Sequence, residues 1–335
     1  MAIDERFLEM ATRRTLLGAL VAGFVAPRLA FAQAARMASV VVLYAGESED
    51  DEPATRSFFD EMRRLGWVEG TNITYERLEG RGERAYVEGL ARSAAGRIPD
   101  LIYATTTSVA LAVVKQTASI PVVFTSAADP VATGLVASLV RPGGNATGAF
   151  QGLQDAEQTR FELIREVYPD LKRFGLLLDR RSPDSSQQEA TYQAAARRVG
   201  LDLMTMKFTN FEAVAKIFGN LRRAGIVAVG LTSSYTLIAR RREVVEAAMR
   251  NRLALIGHRS EWAEVGALMT YGAEVADAQR RSARIANRIL KGVKPAAIPV
   301  ERATKTELVV NQRTAKTLGV AIPDSVLRRA NRVIE

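Results

Sequence analysis

The sequence holds no cysteine, which excludes a disulfide framework, a thiol nucleophile and any thiolate metal site together. Histidine is nearly as scarce, since His258 is the one imidazole in 335 residues. A Ser-His-Asp hydrolase would depend on it alone, and no G-x-S-x-G elbow accompanies it. No His/Asp/Glu cluster has metal-ligand spacing, and no isolated carboxylate pair suggests glycosidase chemistry. Ala45-Gly46-Glu47-Ser48 does not supply the glycine fingerprint of a dinucleotide site, and Gly143 and Gly148 have P-loop spacing without the lysine that must follow. The sequence therefore offers no catalytic set, no metal site and no cofactor site.

Long hydrophobic runs are missing as well. The most apolar stretch, from Thr15 to Ala26, falls short of the ~20 residues a spanning helix needs. It follows Arg13-Arg14 and precedes Ala30-Phe31-Ala32. Cations, a short apolar core and small residues in that order make an export signal, with cleavage expected after Ala32 and delivery to the periplasm. Two routes fit: the paired arginines resemble the twin-arginine signal, and an ordinary secretory signal can also carry two adjacent arginines.

Positive charge is in excess, at +9. Residues 1–32 hold four arginines against three carboxylates, so the remainder keeps +8. A nucleic-acid binder gathers its cations on one stripe with interleaved aromatics. Here Arg222-Arg223, Arg240-Arg241-Arg242, Arg280-Arg281 and Arg328-Arg329 are scattered over helical segments beside Glu243, Glu246 or Asp277. They read as solvated helix faces, and no nucleic-acid partner is expected.

What is present is alternation. Short β-branched runs at Ser39 to Tyr44, Ile73 to Leu78, Leu101 to Ala104, Val122 to Thr125 and Thr147 to Phe150 are separated by helical-period segments near Thr55 to Leu65, Arg84 to Arg97, Ser108 to Thr117 and Ala132 to Val140. A second set follows. Its strands are Phe174 to Asp179, Leu203 to Phe208, Ile226 to Leu231, Ala254 to Ile256 and Leu268 to Tyr271, with helices near Ser186 to Val199, Glu212 to Arg223, Leu237 to Asn251 and Ala276 to Leu290. The pattern predicts an α/β protein of two doubly wound parallel-sheet lobes, with ligands bound outside the carboxyl ends of the strands.

The segment Ile120-Pro121-Val122-Val123-Phe124-Thr125-Ser126-Ala127-Ala128-Asp129-Pro130-Val131, with Gly134-Leu135-Val136 and Arg141-Pro142-Gly143-Gly144-Asn145 after it, resembles the periplasmic solute-binding proteins related to tryptophan and tyrosine ABC-transporter components. Asp100-Leu101-Ile102, Gly266 to Gly272, Ile289 to Gly292, Glu307 to Asn311 and Thr314-Ala315-Lys316 extend the likeness over nearly the whole chain after the signal. The resemblance implies the type I periplasmic binding protein fold, with lobes joined by strand crossovers near Gly148 to Gly152, Gly272 to Glu274 and Val300 to Thr306. One lobe then comprises residues 33–149 plus 273–303 and the other 150–272 plus 304–335. It implies a monomer that captures a small molecule, an amino acid or related carboxylate, and delivers it to an ABC permease. A stand-alone periplasmic sensor presenting its closed form to a membrane receptor is the other reading. Repressor-type and receptor-type uses of the fold need a further domain, which this sequence is not expected to carry.

Strand ends supply the candidate ligand-binding residues. Gly46 and Glu47 follow the first strand, Thr106, Thr107 and Ser108 the third, Ser126 and Asp129 the fourth, and Asp179, Thr232, Ser233 and Tyr271 their counterparts in the second half. Around Thr107 and Ser108 a helix start would aim free N–H groups at an anion, and the resemblance implies that Thr107 meets a ligand carboxylate. Asp129, before Pro130, reads equally as a helix cap and as the acceptor for a ligand ammonium. Many relatives carry Asp-Pro where this sequence has Thr232-Ser233, so one ammonium acceptor is missing. Tyr44, Tyr103, Tyr235 and Trp262 are candidates for an aromatic wall or for core. Pro142-Gly143-Gly144-Asn145 reads as the tight entry to the first crossover. His258 reads as a crevice-rim or capping residue.

Overall fold

A computed structural model describes residues 36–46, 53–81, 84–152, 156–182 and 184–335. The export segment, residues 1–32, and Glu47 lie outside the described residues.

From residue 37 onward the chain is one compact unit built on two sheets. The first half runs β1 (Ala38–Tyr44), α1 (Arg56–Arg64), β2 (Ile73–Glu79), α2 (Arg84–Gly96), β3 (Leu101–Ala104), α3 (Thr107–Val114), β4 (Val122–Ser126) and β5 (Ala146–Phe150). The second half repeats the scheme as α4 (Ala156–Val167), β6 (Arg173–Asp179), α5 (Ser185–Arg198), β7 (Asp202–Phe208), α6 (Ala213–Arg223), β8 (Ala228–Leu231), α7 (Tyr235–Ala239), α8 (Arg241–Arg250), β9 (Ala254–Gly257), α9 (Ser260–Glu264) and β10 (Met269–Ala273). Then come α10 (Val275–Leu290), β11 (Glu301–Arg302), β12 (Thr306–Asn311), α11 (Gln312–Leu318), α12 (Asp324–Leu327) and β13 (Arg332–Ile334).

Strand order is β2-β1-β3-β4-β5-β11 in one sheet and β7-β6-β8-β9-β10-β12-β13 in the other. Within each, the first strand of the half sits between the second and third, which puts a topological switch point beside the C-terminal ends of β1 and β3 and of β6 and β8. All pairings are parallel except β10 with β12. The chain leaves the first sheet after β5, returns after β10 when α10 packs on α1, β4 and β5, and leaves again between β11 and β12.

Burial explains the strand sequences. In β3, β4, β5, β8 and β9 every residue is buried, so the runs are mostly apolar instead of alternating, as expected when helices cover both faces. Each sheet carries a core on either side: Val41, Leu43, Ile102 and Phe124 face α2 and α3, and Val40, Val42, Tyr103 and Val123 face α1 and α10. A polar chain fixes α10 in place. Ser282 Oγ donates to the Phe124 carbonyl (2.9 Å) and lies 2.9 Å from Thr125 Oγ1, which lies 2.9 Å from Tyr103 Oη. The Ser282 proton being spent on the carbonyl, Thr125 donates to Ser282 and Tyr103 donates to Thr125.

Three local expectations differ from the structure. Ala132 to Val140 forms turns, because Gly134 sits at φ 73° and ends the single turn begun at Asp129. Leu237 to Asn251 is two helices, parted at Arg240, whose φ and ψ of −104° and 29° leave the helical region. Pro142 to Asn145 sets the start of β5 and so lies a full strand before the crossing. Asn145 Nδ2 donates to the carbonyls of Thr117 and Ile120 at 3.0 and 2.7 Å.

Tyr44, Tyr103 and Trp262 are core residues, Tyr103 stacking on Phe58 with ring centroids 3.9 Å apart. Among the described residues no helix is long and apolar enough to cross a membrane.

Candidate functional site

The carboxyl ends of the two sheets face a cavity of about 400 Å³. From the first sheet come Thr105, Thr106, Thr107 and Ser108 between β3 and α3, Thr125 and Ala127 at the end of β4, and Gln151 just after β5. The second contributes Asp179, Arg181, Ser182 and Asp184 after β6, Ser233 to Thr236 and Ile238 after β8, and His258 and Arg259 after β9. Val87, Leu111 and Ala112 form an apolar floor, with Glu88 and Lys115 also on the lining.

On the first-sheet side the site is built by hydroxyls that the fold itself consumes. Ser126 Oγ donates to the Ala128 carbonyl at 2.7 Å, so in its 2.9 Å contact with Thr107 Oγ1 the threonine is the donor. Thr107 Oγ1 also accepts from the N–H groups of Ala127 and Ala128 at 3.2 and 3.4 Å. Its side chain is committed to shaping the loop after β4. What Thr107 offers the cavity is its backbone N–H at the start of α3. Thr106 caps that helix, its Oγ1 accepting from Val109 N at 3.4 Å, which leaves the N–H groups of Thr107 and Ser108 as the first-turn donors.

The opposite wall is organised by a carboxylate. Asp179, 2% exposed at the end of β6, accepts from Ser234 Oγ at 2.8 Å, from the backbone N–H of Arg181 at 3.0 Å and from Arg181 Nε at 3.2 Å. Ser234 Oγ in turn accepts from Leu237 N and so starts α7. The guanidinium reaches on to Thr236 Oγ1 at 2.8 Å. Asp179 thus fixes a cation on the cavity wall and the loop after β8 at once.

Of the residues expected from the sequence, Thr106, Thr107, Ser108, Asp179 and Ser233 line the cavity. Others do not. Ser126 stands behind Thr107. Thr232 Oγ1 donates to the Leu177 carbonyl at 2.9 Å, and Gly46 is buried and accepts from Arg81 N at 2.9 Å. Tyr271 presents its carbonyl to Arg160 Nη1 at 2.9 Å. Asp129 keeps the capping half of its reading: its Oδ1 accepts from Val131 N and Ala132 N at 2.8 and 3.2 Å, away from the lining.

The sequence matches the ABC transporter substrate binding protein family over residues 40–334. The chain belongs to that family. Its members bind solutes and are not enzymes. A tyrosine-binding protein of Clostridioides difficile is 25% identical over 268 residues, 80% of this chain and 76% of the relative. An ABC domain from Streptococcus pneumoniae solved in complex with L-Trp superposes with a TM-score of 0.83 at 24% identity, over 89% of this chain and all of that one. A ligand-free, open substrate-binding protein from Clostridium difficile superposes less well, at a TM-score of 0.66 and 23% identity over 89% and 99%.

For a substrate-binding protein the residues that sequence reasoning passed over are the charged ones. Arg181, Asp184 and Arg259 sit in polar runs that look solvated, and only their place just after a strand end marks them. His258 carries the same mark, directly after β9. It is 4% exposed and belongs to the cavity wall. Burial, with Arg160 and Arg259 close by, holds its imidazole well below the ordinary value of 6.5. Burial likewise pushes the Asp184 carboxyl up, against the hydrogen bond from Gln188.

A consequence for stability follows. With the folded-state value depressed, the unfolded chain takes up a proton at His258 that the folded chain refuses, so stability is complete above about pH 6.5 and falls as pH drops below it, by up to about 1.4 kcal/mol per pH unit. Urea midpoints of the wild type and His258→Gln between pH 7.5 and pH 5 check this. The wild type is expected to lose stability faster, and parallel curves would remove His258 as the cause.

Proposed function

We propose that this substrate-binding protein is the capture component of an ABC importer, and that it takes a small carboxylate, an amino acid or a close relative of one, into the cavity between its lobes. The reading rests chiefly on one arrangement: Thr107 and Ser108, which open α3, line the same cavity as Arg181, which arrives from the other lobe. A carboxylate held between them contacts both lobes, and only a ligand that touches both can favour the closed arrangement over the open one. The closer superposition on the relative solved with L-Trp than on the open, ligand-free one supports a closed-like arrangement here. The tyrosine and L-Trp of the two relatives support an amino-acid ligand.

In this reading residues 1–32 are an export signal cleaved after Ala32, the mature chain works as a monomer in the periplasm, and a membrane permease receives the ligand from the closed form. The lobes then hinge where the chain crosses between the sheets, after β5, after β10 and between β11 and β12. A stabilisation screen of amino acids and small organic acids tests the ligand class directly. Ligand at ~100 times its Kd adds about 2.7 kcal/mol of stability, a clear rise in melting temperature. Stabilisation by sugars or polyols and by no carboxylate would reject the reading.

A further inference from the structure

Two side chains on the cavity wall hold polar atoms that the protein leaves unsatisfied. His258 Nδ1 and Gln151 Oε1 have no hydrogen-bond partner, although the residues are only 4% and 5% exposed. Folded proteins leave few such atoms without a reason, and a ligand site is one. The two residues follow strands of different sheets: His258 directly follows β9, and Gln151 directly follows β5, its N–H held by the Ser126 carbonyl at 2.8 Å. That anchor fixes the Gln151 backbone on the cavity wall.

The surroundings bear on which nitrogen of His258 carries the proton. The Leu231 carbonyl, an oxygen that can only accept, lies beside the ring and favours a proton on the nitrogen nearer to it. Nδ1 is the nitrogen without a partner. A second proton on it would create a buried cation beside Arg160 and Arg259. These neighbours favour a neutral imidazole protonated at Nε2, which leaves a bare lone pair at Nδ1.

We propose that His258 Nδ1 is a ligand-reading acceptor, taking a hydrogen bond from an O–H or N–H group of the captured molecule. The inference rests on the carboxylate-capture reading and adds a second polar feature to the ligand. Gln151 can turn either end of its amide to a ligand and so discriminates little. His258 demands a donor, and an analogue without one leaves the lone pair buried and unmet. Because two guanidiniums lie near the ring, an uncharged donor such as a hydroxyl or an indole N–H suits it better than an ammonium. The ligand class is thus a small carboxylate bearing a neutral donor group.

One histidine in the chain makes the test unambiguous. The mature protein, purified with a histidine-free tag and labelled with ¹⁵N-histidine, is expected to show an Nε2-protonated neutral ring, still neutral at about pH 5.5. A ring protonated at Nδ1, or an imidazolium at that pH, overturns the proposal. The probes are two pairs differing by one hydroxyl: L-tyrosine with L-phenylalanine, and 3-(4-hydroxyphenyl)propionate with 3-phenylpropionate. The hydroxylated member is expected to bind about tenfold more tightly and to move the Nδ1 resonance, with the preference lost in His258→Phe. Binding by a hydroxylated probe that leaves Nδ1 unmoved overturns this inference alone. A carboxylate that binds nowhere, with the ring in the expected state, overturns the capture reading and this inference with it. The resonance is read in the wild-type chain, so the outcome stands even if the variant does not fold.

Discussion

Replacing Arg160 with methionine is expected to destabilise the protein by about 3–5 kcal/mol at neutral pH. Arg160 and Glu157 lie in the first turns of α4, just past the first crossing, and are 3% and 5% exposed. Arg160 Nε donates to Glu157 Oε2 at 3.0 Å, Nη2 pairs with Oε1, and Nη1 donates to the Tyr271 carbonyl in β10 at 2.9 Å. Its guanidinium also stands 5.7 Å from the centre of the Tyr192 ring. Methionine keeps much of the volume but leaves a buried carboxylate without its counter-charge and the Tyr271 carbonyl without its donor. Burial already pushes the Glu157 carboxyl above its ordinary 4.5, with Arg160 opposing that rise. In the variant Arg160 no longer opposes the rise and the group takes up a proton on folding. The penalty is therefore largest where the unfolded carboxyl is ionised and shrinks as pH falls towards 4.5. Urea denaturation at pH 7 and pH 5 reads both features, and Glu157→Gln combined with Arg160→Met should recover most of the loss. A double variant no more stable than the single one would place the cost in the lost Tyr271 contact.

The architecture was legible because parallel sheets buried on both faces impose continuous apolar runs, and those runs need no partner to be recognised. Every strand expected in the two repeated halves is present to within two residues at either end. The site was only half legible. A polar residue at a strand end is easy to find, but whether it turns into the crevice depends on groups far away in sequence. Ser126 and Thr232 look like ligand donors and are absorbed by nearby carbonyls of Ala128 and Leu177. Asp179 looks like one carboxylate among many until Ser234, fifty-five positions on, is seen to lock it in place. Arg181 was hidden by Arg180 beside it, since an arginine pair after a strand has the composition of a solvated loop. Asp129 kept only a local role because Gly134 turns the chain away after a single turn.

Arg181→Met is expected to weaken capture of a carboxylate by about thirtyfold or more, about 2 kcal/mol, as loss of one member of a desolvated charge pair does. The fold should survive it. Asp179 keeps the Ser234 hydroxyl and the backbone N–H of residue 181, neither of which the substitution removes. The arginine side chain is 46% exposed, so its pairing with Asp179 is largely screened and contributes little stability. What the variant loses is the cation that shares the cavity lining with Thr107 and Ser108, and with it the contact through which a carboxylate would hold the loops of the second sheet. Arg181→Lys should fall between the two, because an ammonium keeps the charge without the planar fork that engages a carboxylate through two parallel bonds. Calorimetric titration of all three proteins with the acid found by screening, and with its primary amide, separates charge from shape. The amide is expected to bind the wild type and Arg181→Met within a few-fold of each other. Equal losses for acid and amide would mean that Arg181 supports the loop between β6 and α5 and does not touch the ligand.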